Sequence, residues 1–409
     1  MGAITITVAG SLLLLLAVLV QDVLCRFSKG VTRLGSQDST AFYAAGPKAS
    51  SHLPNHNIDA IAPTEYPLRI GPAQGEGHSP SSLVPRPLAY RHYTVGWICA
   101  LPIEMAAAKA MLDEVHADLP ANPCDENTYI LGRICSHNVV VACLPTGVIG
   151  PMPAATVATQ MLSTFPSIRF NLMVGIGGGV PNQADIRLGD VVVAKPTREH
   201  GGVVQYDYSE TIKECTIKRT GMLSKPPRVL LTALSKLQAT HLLTGPRINS
   251  FLCEIESKYP LLASTLRPQG QDSLAHSNCR SRPPSTRIYR TCNTHRPLNS
   301  PDRHRERNIP HIHYGLIASG NQVVKDSKIR DHLAKESGIL CFEMEAAGLL
   351  DTFPCLVIRG ISDYADANKN DVWQGYAAAT AAAYAKELLS VIPRQQVEDA
   401  PLAGGNLSV

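Results

Sequence analysis

No tight cysteine spacing runs through this 409-residue chain; its eleven cysteines are scattered and odd in number. That excludes a disulfide-stapled scaffold and points to a reducing compartment. Cys99, Cys143, Cys341 and Cys355 fall in apolar runs, where a free thiol packs as a small hydrophobe. A net charge of only +4 implies neither a nucleic-acid nor a membrane partner by itself, and much of the excess lies between Arg280 and Arg307. The arginines there have no aromatic stacking platform beside them, so they read as an unstructured basic loop and no nucleic acid is expected as a partner. His276, Cys279, Cys292 and His295 approach the spacing of a small zinc module, but the hydrophobic positions that pack such a module are missing. A dinucleotide fingerprint is absent too: Gly175-Ile-Gly-Gly-Gly179 has the wrong spacing, and no acidic partner follows a second strand. Neither a metal nor a cofactor is expected.

What is present is an ordinary globular composition, 44% hydrophobic and 18% charged. Ile4 to Val20 is an uncharged, leucine-rich run, long for a signal-peptide core and slightly short for a bilayer span. Arg26, Lys29 and Arg33 follow it, which favours membrane anchoring with the rest of the chain facing the cytoplasm. A cleaved secretory signal ending near Cys25 is the alternative. Residues 26–91 carry scattered proline, serine, glycine and histidine, too little apolar surface to offset ordering entropy, and are expected to be a disordered linker.

From Tyr93 the texture changes. Thr94 to Cys99, Tyr129 to Ile134, Val139 to Leu144, Leu172 to Val174, Asp190 to Ala194, His313 to Ile317, Ile339 to Phe342 and Leu356 to Ile361 read as strands. Helical patterns fall at Ile103 to Val115, Ala154 to Thr164, Ala346 to Leu350 and the alanine-rich Val372 to Val391. Strands alternating with helices predict an α/β fold, a central, mostly parallel or mixed sheet with helices on both faces. One domain over 92–393 is expected, interrupted by an irregular insertion at about 244–310, with 394–409 as a tail.

Acids embedded in apolar sequence are costly to bury unless they are paired or used. Glu345 and Asp363 stand beyond the predicted ends of strands, the edge where open α/β sheets bind ligands. Gly177 and Gly178 after a strand permit close approach of backbone to a ligand. Each residue also has a bland reading: Glu104 as a first-turn helix acid, Asp363 as a helix cap, Glu343 as an ordinary side chain. Tyr206, Asp207 and Tyr208 form a polar-aromatic group that either closes over a ligand or is a strand of alternating exposure.

Four stretches in order, Ala100-Leu-Pro-Ile-Glu104, Gly175 to Gly179 with Arg187 to Val192, Glu343-Met-Glu345 and Ile361-Ser-Asp363, resemble the nucleoside phosphorylase/nucleosidase superfamily. The resemblance is closest to the methylthioadenosine/S-adenosylhomocysteine nucleosidase branch and to fungal domains of that kind often attached to immune-type receptors. It implies cleavage of the bond between ribose C1′ and a purine nitrogen of adenosine-type nucleosides or nucleotides, and a homo-oligomer. Asp363 matches the acid that serves the purine, Glu104 the residue that orients water, and Glu345 the residue that holds the ribose hydroxyls. Met344 would lie under the sugar and Ser362 would support Asp363. Ile176 stands where relatives often carry serine, and Val323 where they place an aromatic ring. Because Ile176 cannot hold phosphate, hydrolysis is expected over phosphorolysis, with phosphate as the alternative nucleophile and a non-catalytic nucleotide sensor as the other reading.

Overall fold

Valine, isoleucine and leucine concentrate in short segments flanked by glycine and proline, and these segments become the strands of one mixed sheet. The structure is a computed structural model and describes residues 88–207, 209–212, 216–219, 222–266 and 309–406. The first strand, β1 (Val95–Cys99), is buried along its whole length and pairs in parallel with β4 (His137–Cys143) and β5 (Phe170–Gly179). On its far side β4 continues antiparallel into β3 (Tyr129–Ile134) and the short β2 (Glu114–Val115). Beyond β5 lie β12 (Cys355–Asp363), β6 (Val191–Ala194), β10 (Ile312–Ser319) and β11 (Ile339–Glu343), with β7 (Val203–Gln205) alongside β10. The outermost of these, β11, returns to pair antiparallel with β5 through Cys341–Gly179 and Phe342–Gly178. The sheet therefore curls until β5, β12, β6, β10 and β11 form a closed ring, which covers the edge that β11 would otherwise expose. A separate hairpin joins β8 (Ser209–Ile212) to β9 (Thr216–Arg219).

Helices flank this sheet, as the alternating pattern predicts. After β1, α1 (Pro102–Met111) starts with proline in its first turn, where a missing N–H goes unneeded. Next, α2 (Pro151–Thr164) packs on β1 and β4. Helices α3 (Arg228–Thr244), α4 (Ile248–Lys258) and α5 (Pro260–Thr265) precede β10, and α6 (Ser327–Ser337) leads into β11. The alanine-rich α7 (Gln374–Ser390) packs on β12 and β5 and is covered in turn by α1 and α4, so it is buried nearly all round. A short α8 (Arg394–Glu398) follows.

Several boundaries differ from the sequence expectation. The helix expected to run to Val115 stops at Met111, because Glu114 and Val115 are drawn out to pair with Arg133 and Gly132. The irregular insertion expected from about residue 244 is helical at its start. Ile248, Phe251, Leu252 and Ile255 fall on one face of α4 and are buried, the spacing of an amphipathic helix; 267–308, including the basic loop and the zinc-like spacing, lie outside the described residues. The expected tail is partly docked: Val397 and Ala403 are buried, and the Ala403 amide donates to the Ile168 carbonyl. Gly177 to Gly179, expected just after a strand, lie within β5. Ser362 and Asp363, expected just past a strand, are the last residues of β12. Among the described residues no helix is long and apolar enough to cross a membrane; Ile4 to Val20 and the linker fall outside them.

The seat of α7 on β12 is tight enough to test. A Cβ added at Gly360 would stand 1.9 Å from the Ala377 carbonyl oxygen. Gly360→Val should therefore lose about 3 kcal/mol of stability, the upper end for overpacking a core, read as a shift in urea midpoint at unchanged slope. A midpoint equal to that of the parent would show that α7 can lift at no cost.

Candidate active site

Glu104, Ile176, Glu343, Met344, Glu345, Arg359, Ser362 and Asp363 come from four chain segments and line one cavity of about 210 Å³. The cavity opens at the carboxyl ends of β1, β5, β11 and β12, where parallel strands leave room for a ligand. Gly177, Gly178 and Val323 line it too.

Glu104 sits in the first turn of α1 and is 3% exposed. Its Oε2 accepts the amides of Ala100 (2.7 Å) and Leu101 (2.9 Å), and its Oε1 accepts that of Ile176 (2.8 Å). The side chain thus ties α1 to β5 and turns one oxygen toward the cavity. Burial pushes its pKa up, against the pull of Arg359 and the three amides. Gly175 makes this approach possible: a Cβ there would lie 2.4 Å from Glu104 Oε1 and 2.6 Å from Arg359 Nη1.

Arg359, from the middle of β12, is 1% exposed. Its guanidinium bonds to Glu343, lies 3.4 Å from Glu345 Oε2 and donates to the Ile176 carbonyl at 3.3 Å. It is the partner of core acids. Glu343 also accepts the amides of Glu345 (3.2 Å) and Ala346 (3.1 Å), so it is a buried brace for the turn that carries Glu345, not an ordinary solvated side chain. Glu345 itself is raised to about 7, first by burial and then by the charges of Glu343 and Glu104, with Arg359 opposing.

Asp363 ends β12 beyond a register shift, since Ile361 pairs with Gly177 while Asp363 pairs with Gly178. The extra residue is a bulge, which re-aims side chains at the end of a strand. Asp363 Oδ1 accepts the Ala365 amide (2.9 Å), and Oδ2 accepts the Ser362 hydroxyl (3.0 Å) and Lys369 Nζ (3.0 Å). Met344 is half-buried on the wall.

Some of the pocket was not foreseen. Phe342 lines the cavity, so an aromatic face is present although Val323 takes the expected aromatic position and is 42% exposed. In β11 its ring reads as core, and only the curl of the sheet turns it to the site. Tyr206 does not line the cavity: its hydroxyl donates to the Gln322 carbonyl and its ring meets Phe342 edge-on at 5.6 Å. Asp207 Oδ2 accepts the Asn321 amide at 2.5 Å. These two residues hold the loop that carries Val323, and Tyr208 lies outside the described residues. Lys369 and Gln374 also line the cavity, and no motif marked them. Among the described residues no cluster of histidine, cysteine and acids is arranged for a metal.

A family model, the phosphorylase superfamily, matches residues 94–392. The chain belongs to that superfamily. A nucleotide-binding leucine-rich repeat (NLR)-like protein of the fungus Hyaloscypha variabilis is 44% identical over 327 residues, covering 78% of this chain and 31% of that protein. The chain thus spans about a third of this fungal relative. The 5′-methylthioadenosine/S-adenosylhomocysteine nucleosidase of Mycobacterium bovis is 24% identical, over 73% of this chain and 97% of its own length. An Escherichia coli protein named ATP nucleosidase Cap17 is 23% identical, over 70% of this chain and 48% of its own. In this member of the superfamily, residues of Ala100 to Glu104, Gly175 to Gly179, Glu343 to Glu345 and Ile361 to Asp363 line one cavity, whereas Arg187 to Val192 do not line it.

The buried carboxyl groups set a pH signature. A glutamate whose folded pKa lies above its unfolded value favours the fold only while protonated, so its contribution is lost as pH rises from 4.5 to about 7. Across that window Glu345→Gln should lose less melting temperature than the parent. Equal slopes for the two proteins would mean that Glu345 carries no such penalty.

Proposed function

We propose that this chain hydrolyses the N-glycosidic bond of purine nucleosides or nucleotides of the adenosine type. The observation that carries the reading is the convergence of Glu104, Glu345 and Asp363, from distant parts of the chain, on one buried cavity. Cleavage at C1′ passes through an oxocarbenium-like state and gains from an acid at the leaving base and a base for water. The cavity is lined by four carboxyl groups, Glu104, Glu343, Glu345 and Asp363, against two cations, Arg359 and Lys369. Both cations are engaged by carboxylates. Such a lining favours positive charge developing on the sugar and offers no free cation to a phosphate nucleophile. Ile176, at the glycine-rich strand, adds no hydroxyl for one.

In this reading Asp363 serves the leaving purine, with Ser362 steadying its carboxylate. Glu104 Oε1 keeps a lone pair free for the attacking water beside the Ile176 amide. Glu345 holds the ribose hydroxyls, with Met344 under the sugar, while Gly177 and Gly178 let the backbone close on the ligand. Phe342 and Val323 supply the apolar surface for the base. The mycobacterial relative is named for a thioether nucleoside and the E. coli relative for ATP, so the 5′ substituent is left to the assay.

A second reading, nucleotide binding without turnover, is favoured by the fungal relative, a much longer NLR-like protein in which this domain is one part. Product chromatography separates the readings. The protein should release free purine and free pentose from an adenosine-type substrate whether or not phosphate is present. Asp363→Asn should lower that rate roughly 10² to 10³-fold. Pentose-1-phosphate as product would establish phosphorolysis, and tight binding with no base released over hours would establish the sensor. An Asp363→Asn protein as fast as the parent would remove Asp363 from the acid's role.

A further inference from the structure

Lys369 stands on the loop between β12 and α7, and its Nζ lies 3.0 Å from Asp363 Oδ2. Its side chain is 34% exposed against 5% for that of Asp363. The lysine therefore touches both solvent and the buried acid, and it lines the same cavity. The loop is fixed by Asp366, itself buried, whose carboxylate accepts the Asn368 amide at 2.9 Å and whose carbonyl accepts the Lys369 amide at 3.3 Å. Three donors converge on Asp363. Two of them, the Ala365 amide and the Lys369 ammonium, have no acceptor capacity, so Asp363 accepts from both. A departing purine needs a proton, and among the three donors Lys369 alone is a charged acid in contact with solvent.

Resting on the nucleosidase reading above, we propose that Lys369 is a positioning residue that supplies, through Asp363, the proton taken up by the leaving purine. As the bond from C1′ to the purine breaks, its electron pair goes to the base. The proton that Lys369 has passed to Asp363 moves on to a ring nitrogen of the purine. The attacking water forms the new oxygen bond to C1′ and gives its own proton to Glu104. Lys369 is left neutral and Glu104 protonated; one proton gained from solvent and one returned to it restore both. The sum is nucleoside plus water giving purine plus pentose. The partial exposure of Lys369 is what this cycle requires, since Asp363 has little solvent contact of its own.

Two variants and two substrates test the assignment. Lys369→Met removes both charge and proton. Lys369→Arg keeps the charge and the hydrogen bond but holds its protons too firmly to release one. One substrate is adenosine; the other is p-nitrophenyl β-riboside, whose leaving group departs without protonation. Both variants should lose roughly 10²-fold in kcat on adenosine, the scale of a general acid, with a loss at least about tenfold smaller on the activated riboside. Their thermal melts report whether the loop variants keep the fold. Lys369→Arg turning over adenosine at the parent rate would overturn the proposal in favour of simple charge pairing. Equal losses on both substrates would overturn it in favour of a structural role. A parent protein that releases base from neither these substrates nor any nucleoside fails the nucleosidase reading itself, a result distinct from active parent and unaffected variants.

Discussion

The buried guanidinium of Arg359 is the interaction on which the site depends. It issues from β12, bonds to Glu343 of β11, approaches Glu345 and donates to the carbonyl of Ile176 in β5. Three strands of the closed ring thus share one charge. Two carboxylates could not be held in so dry a place without it, because an unpaired buried charge costs several kcal/mol. The arrangement is not chosen for stability: an apolar core of the same volume would do as well or better. What it gives is placement, with Glu345 fixed in an unusual protonation balance and the β5 backbone held where Glu104 can reach it.

Around that charge, each acid is positioned by a different device. Glu104 rides on a helix whose first turn is set by Pro102 and is caught by three amides. Glu345 hangs on a short turn braced by Glu343. Asp363 is carried by a bulge at the end of β12. The three supports differ in kind but are linked through Arg359, which touches both the brace of Glu345 and the strand that Glu104 grips. All three also share the glycine-rich floor of β5, which is where the pieces become one cavity.

Much of this was legible in the sequence. Apolar runs located β1, β3, β4, β6, β10, β11 and β12 to within a residue or two, and the embedded acids singled out Glu345 and Asp363, because uncompensated charge in apolar sequence is physically conspicuous. Less visible was anything set by tertiary contact. The short β2 is extended only because β3 offers it a partner, and α1 gives way to it. Helix α4 carries a readable period at Ile248, Phe251, Leu252 and Ile255, but the polar, basic stretch after it dominates the composition of the region. Phe342 looked like core until β11 folded back on β5. Lys369 had no signal at all, since a lysine in a polar loop is the commonest kind of surface residue and only the course of that loop brings it to Asp363.

The floor itself has a further meaning. Gly175, Gly177, Gly178 and Gly179 occupy four of the last five positions of β5, and glycine is among the poorest strand formers because it has most freedom to lose and no side chain to pack. This half of the strand cannot hold an extended shape on its own merits; it is kept straight by β12 on one side, β1 nearer its start and β11 at its tip. The most central segment of the molecule is therefore its least self-sufficient. Local order there arrives from the neighbours, and any loosening of the ring would be felt first in the middle of the sheet, directly under the place where a ligand would rest, instead of at an edge.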